Sequence, residues 1–186
     1  QKAAADVDAR AMKIAGTPVT LTWKTTEKSR MVDFKGYAYT RTPSDVSGIL
    51  MTHYDETKPQ VWTVPLRDEV LPDLNVNAPG AGYIVPAAQA KMVAHKLAQH
   101  AISFRVLGAD QARTEVETFR ADKATFAPGS FESHQRLAVQ GAWKPESRAL
   151  GKGALFVPIA QPKARLVMAL LEPKAPDSLT AWGQFN

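Results

Sequence analysis

The chain has 186 residues, 45% of them hydrophobic and 22% charged, with a formal net charge of +5 and no cysteine. A chain of that length buries well over half of its unfolded surface, in one domain or at most two small lobes, and this composition is neither disordered nor fibrous. The missing cysteines exclude disulfides, thiolate zinc sites and cysteine nucleophiles, and leave the redox compartment open.

From Lys2 to Ile14 the residues are Ala-rich, with Val7, Ala11 and Ile14 at spacings of four and three, until Gly16-Thr17-Pro18 stops the pattern. This predicts a short helix or helix remnant over 1–16. Past Pro18 the chain alternates, in Val19–Trp23 and again in Lys35–Thr40, which predicts strands. Gly48–Tyr54 and Gln60–Leu66 flank the charged stretch Asp55–Pro59, the expected loop of an antiparallel hairpin. One strong helix signal follows: Pro86 suits a first turn, and Ala90, Val93, Ala94, Leu97 and Ala101 form an apolar stripe to about Gln99. Gly82–Val85 before it and Ile102–Leu107 after it read as strands, so a β-helix-β unit with parallel pairing is expected. Leu137–Trp143 and Ala154–Val157 read as a further strand pair on either side of a Lys/Pro/Glu/Gly-rich connection. Ala164–Leu171 is a second helix ended by Pro173, and Asp177 caps a last short segment through Trp182. The expected fold class is α+β: β-rich, largely antiparallel and sandwich-like, with one central β-helix-β unit and short C-terminal helices. Residues 17–186 form a single domain, with 75–80 as the place where it could divide.

The positive charges do not form a nucleic-acid footprint. The densest set, Lys24, Lys28, Arg30 and Lys35, is interrupted by Glu27 and Asp33 and has no interleaved aromatic run, so a solvated basic face is expected despite a pI near 9.5. No apolar stretch approaches the roughly 18 residues of a membrane span. The start, Gln1-Lys2-Ala3-Ala4-Ala5, has neither an initiator Met nor a signal h-region and reads as a processed or excised piece.

His53-Tyr54-Asp55-Glu56 fits H-x-x-E, a spacing by which zinc hydrolases bring an imidazole and a carboxylate onto one metal. Zinc needs a third ligand, and the remaining histidines, His95, His100 and His134, fall on a helix, at its last turn and in a polar stretch. Asp55 and Glu56 are ordinary turn residues there, so the motif reads as structural. Gly80-Ala81-Gly82 leads into a strand rather than a helix, and Gly151-Lys152-Gly153 lacks the Ser/Thr of a phosphate loop, so both read as turns. Asp68 and Glu69 are strand neighbours pointing to opposite faces, and one of them is expected to pair with Arg67. Trp23, Trp62, Trp143 and Trp182 with Tyr37, Tyr39, Tyr54 and Tyr83 could line a glycan or peptide groove, although aromatics on alternating strands are more often packing.

Several phrases carry a resemblance: Gly82-Tyr83-Ile84-Val85-Pro86 opening a helix, Phe126-Ala127-Pro128, Gly153–Pro158 with Gln161-Pro162, and Leu170–Pro173 running to Asp177-Ser178-Leu179 and Trp182-Gly183. With Gly36-Tyr37, Ser47-Gly48, Tyr54-Asp55 and Lys58-Pro59 through Pro65, they make the chain from about Pro18 onward resemble the C-terminal region of bacterial zinc carboxypeptidase-like peptidases of the carboxypeptidase A family. In that family zinc is held in an amino-terminal catalytic domain, by an H-x-x-E and a later histidine, with a separate glutamate as base. The resemblance calls for no ligand at His53 or Glu56 and implies no catalytic, cofactor or metal residue in this chain. It implies a non-catalytic, β-rich accessory domain beside the catalytic domain of a periplasmic or secreted parent. That parent would hold the zinc and remove C-terminal residues from peptides; nucleic acid and a membrane span are not expected partners. A glycan- or peptide-binding β module standing alone is the alternative.

Overall fold

The computed structural model describes residues 2–185. Along the chain run α1 (Lys2–Ala11), β1 (Pro18–Thr25), β2 (Arg30–Pro43), β3 (Leu50–Leu66), β4 (Val70–Asn77), β5 (Gly82–Val85) and α2 (Ala87–Gln99). They are followed by β6 (Arg105–Val106), β7 (Gln111–Phe126), β8 (Leu137–Leu150), β9 (Leu155–Pro158) and α3 (Ala164–Leu171). The fold is α+β and β-rich, with antiparallel pairing of β2 with β3, of β5 and β6 with β9, and of β7 with β8. It divides into two compact units: Gln1–Thr22 with Pro72–Asn186, and Trp23–Leu71. The chain leaves the first unit along β1 and returns along β4, the two strands of one small sheet.

The first unit holds the core. Its three-stranded sheet has the order β5-β9-β6, so the strands flanking α2 run parallel to each other without pairing, contrary to the parallel pair expected of a β-helix-β unit. β9 enters between them. This central strand turns Leu155 and Val157, two residues apart and so on one face, into the core, and the flanking Ala154 and Ile159 are buried as well. Helix α2 turns Ala90, Val93 and Leu97 onto the core, and α3 turns Ala164, Val167, Met168 and Leu171, the i, i+3, i+4, i+7 stripe that its sequence carries. Full burial of a side chain such as Leu97 or Leu155 contributes about 1.5–3 kcal/mol. From the start of the chain, Ala11, Ile14 and Val19 join the same cluster.

Gly82 is needed where β5 begins. It sits at φ +154°, and a Cβ there would lie 2.2 Å from the Val157 carbonyl oxygen of β9. Only glycine lets the two backbones approach this closely. The Gly151–Gly153 segment is the tight turn expected, closed by the Ala154 N–H donating to the Gly151 carbonyl at 3.1 Å. It links β8 to β9, however, and these strands are not partners. β8 runs on through the Lys/Pro/Glu-rich stretch to Leu150 and pairs with β7 from Phe126↔Leu137 to Gln111↔Leu150. After α3, Asp177 starts no helix; the Ser178 hydroxyl, not Asp177, accepts the Ala181 N–H at 3.0 Å.

The second unit is a long two-stranded ribbon. β2 and β3 pair from Arg30↔Leu66 to Pro43↔Leu50, and the turn at their tip is closed by Ser44 N–H to the Ile49 carbonyl. The expected hairpin within 48–66 is therefore not present, because β3 passes straight through Asp55–Pro59. The register runs Tyr37↔Pro59 and then Ala38↔Asp55, so residues 56–58 bulge from the ladder. The Asp55 carboxylate accepts the Thr57 N–H and hydroxyl and pairs with Lys58 at 2.9 Å, which closes the bulge upon itself. At the base of the unit Arg67 pairs with Glu27, Asp68 with Arg30 and Glu69 with Lys28, so neither acid pairs with Arg67. None of the described residues of this unit is buried. Among the described residues of the chain no helix is long and apolar enough to cross a membrane.

Candidate functional site

The eight Trp and Tyr residues considered as one groove separate into distinct places. On the ribbon, the register sets Phe34 opposite Trp62 and Tyr39 opposite Tyr54. Trp62 is the hub of a four-ring cluster: its ring lies 6.1 Å from Phe34 in a stacked arrangement, 5.9 Å from Tyr39 edge-on and 6.4 Å from Tyr54. Gly36 makes this possible. A Cβ there would sit 2.7 Å from the Trp62 ring, so only glycine leaves room for the indole to lie across β2. Each pair contributes about 0.5–1.5 kcal/mol beyond area burial. The rings nevertheless face solvent, with Phe34 56%, Tyr39 49% and Tyr54 58% exposed, and the Arg41 guanidinium lies over Tyr39 at 5.5 Å. Trp23 and Tyr37 are also exposed and do not join the cluster. Phe34 was absent from the sequence-derived set, and the register that brings it to Trp62 is its only signal.

In the first unit, Tyr83 and Trp143 serve a buried carboxylate. Glu172, just past α3, is 3% exposed. It accepts the Tyr83 hydroxyl at 2.6 Å and the Trp143 indole N–H at 3.2 Å. Burial pushes the Glu172 carboxyl above its ordinary value, opposed by these two donors and by Lys174. The Tyr83 phenol is pushed upward as well, first by burial and then by donating to Glu172. Phe119 packs edge-on to Trp143 at 5.6 Å. This arrangement pins β5, β8 and the end of α3 together and is fully satisfied, since among the described residues no buried side-chain N or O lacks a partner.

The histidines do not assemble. His53 stands opposite Thr40 in β3, while Glu56 lies in the bulge. His95 rides on α2, and His100 caps that helix. The His134 ring is edge-on to Trp182 at 5.5 Å. Among the described residues no group of three or more His, Asp or Glu is placed to hold a metal ion. Comparison with protein-family models, with curated proteins and with solved structures finds no match.

Proposed function

We propose that this chain is a non-catalytic accessory domain of a periplasmic or secreted zinc carboxypeptidase-like peptidase, and that its ribbon is the surface seated against the rest of that enzyme. The family half of the reading rests on the resemblance spread from Pro18 onward. The accessory half rests on one observation: the unit Trp23–Leu71 has no buried residue among those described, yet it presents Met31, Phe34, Ile49, Leu50 and Val61 to solvent, each more than half exposed. A two-stranded ribbon is marginal by itself in water, so a covering partner would stabilise it. The zinc and the base of the reaction would belong to the parent's catalytic domain.

Sequencing the coding DNA on the amino-terminal side of Gln1 tests the family, with an H-x-x-E and a later histidine in an upstream domain as the expected result. A domain of another kind there overturns the reading. Zinc calorimetry and a peptide carboxypeptidase assay on the chain itself test the accessory role, and tight one-to-one zinc binding with release of C-terminal residues would sink it. The four-ring cluster on the ribbon favours a second reading, a glycan- or peptide-binding module. Loss of oligosaccharide or peptide retention on replacing Trp62 by Ala, with the spectrum of the first unit unchanged, is its signature.

A further inference from the structure

A cavity of about 460 Å³ opens in the first unit where the base of the β7–β8 ribbon meets the Pro173–Pro176 segment. That volume falls within the range of small-ligand sites, roughly 300–1,000 Å³. Its walls are apolar, with Phe126, Leu137, Val139, Pro173, Ala175 and Pro176 among the lining, and among the described residues its charged lining is Arg136 and Lys174, with no carboxylate; the Lys174 ammonium turns to the Phe119 ring, 6.0 Å away, which leaves Arg136 as the cation of the site. Arg136 is held in place: its guanidinium stacks on Trp182 at 4.2 Å and donates to the Pro176 carbonyl. Trp182 is in turn flanked by Phe131 and His134, whose reciprocal backbone bonds close a tight turn with Glu132 and Ser133 both at positive φ. The rest of the Arg136 fork donates to no described residue, so among the described residues the oriented guanidinium keeps N–H donors for a ligand.

The third element is backbone. The Ala127 N–H donates to the Arg136 carbonyl across the ladder, whereas the Leu137 N–H points outward and donates to the Ala181 carbonyl. By the alternation of an antiparallel pair, Val139, two residues further on, also directs its N–H and C=O away from β7, beside the cavity. Among the described residues β8 has no second strand on that edge. We infer that this cavity binds the C-terminal end of an extended peptide: the chain adds to the free edge of β8 at Val139, its last apolar side chain enters the proline-walled cavity, and its terminal carboxylate meets Arg136. Charge complementarity selects an anion, the walls select an apolar body, and the edge of β8 selects a peptide over a simple fatty acid. The inference stands on the cavity alone and holds whether or not the chain belongs to a peptidase.

The test uses the full chain and three probes: acetyl-Ala-Ala-Ala-Leu as the free acid, the same peptide as its C-terminal amide, and hexanoate. The free acid is expected to bind with a Kd on the order of 0.1–1 mM, and the amide and hexanoate each about tenfold or more weaker. Amide shifts in NMR should centre on Val139 and Leu137. Val139→Pro, tolerated on an outward-facing edge position, reduces the acid to the level of hexanoate. Equal binding of acid and amide, equal binding of hexanoate and acid, shifts centred elsewhere, or no binding of the acid at about 5 mM would each overturn the inference. The first three comparisons need no variant, so a failure of that substitution to fold does not blunt them.

Discussion

Glu172 illustrates how one residue joins distant stretches of chain. Its two donors lie 89 and 29 residues away, and removing either leaves a buried carboxylate with one fewer partner. Tyr83→Phe is expected to cost about 1–3 kcal/mol in chemical denaturation, the usual penalty for breaking a buried bond on one side. The pH dependence has a definite sign. Because burial holds the folded-state carboxyl above its ordinary value, the contribution of Glu172 is fully present below the unfolded carboxyl pKa. It is lost as pH rises through the folded value. Unfolding free energies of the parent and Glu172→Gln, measured from pH 4 to 8, should therefore move apart in the variant's favour as pH rises above the ordinary glutamate range. A constant difference would refute the shift. None of this was legible in the sequence: Glu172 stands in Leu171-Glu172-Pro173 as an ordinary helix-end acid, and only the meeting of three segments desolvates it.

At the scale of the element, what could be read in advance was what is stabilised locally. Helices α2 and α3 follow from the 3.6-residue stripes that their own residues carry, and the strand β5 from its short apolar run. The long ribbons were missed for a physical reason. β7 buries none of its described residues, and of its half-buried, alternating Thr114, Val116 and Thr118 only Val116 is apolar, so no apolar run announces the strand; Asp55–Pro59 has turn chemistry that the bulge uses without reversing the chain. The end of α2 carries a further consequence. Ala101 adopts φ 50°, and the Ile102 and Ala101 N–H groups donate to Leu97 and Ala98, the paired bonds of a helix terminus that ordinarily takes glycine at this position. Ala101→Gly should relieve about 1 kcal/mol of left-handed strain. Thermal unfolding should rise by roughly 2–4 °C, and an unchanged or lower midpoint would show that the alanine carries no such strain.

For the whole molecule, the decisive fact is that the first unit is built from both ends of the chain and the second is spliced into it. No Gly/Ser linker marks Thr22 or Pro72 in the sequence, because the passage runs within two strands rather than through a loop. Thr22 and Asp73 are already joined side chain to side chain at 3.4 Å, and the Leu74 N–H donates to the Thr22 hydroxyl. Replacing Trp23–Leu71 by a two-residue Asn-Gly turn is therefore expected to leave the first unit folded, with cooperative melting and dispersed amide resonances. Loss of that cooperativity would mean that its stability depends on the ribbon. The same splice governs the order of events during synthesis. Ala11, Ile14 and Val19 are made before most of the cluster they join, which runs on through Leu97 and Leu155 to Val167. Their docking therefore follows translation of the ribbon and of both later helices, a long-range step in closing the core.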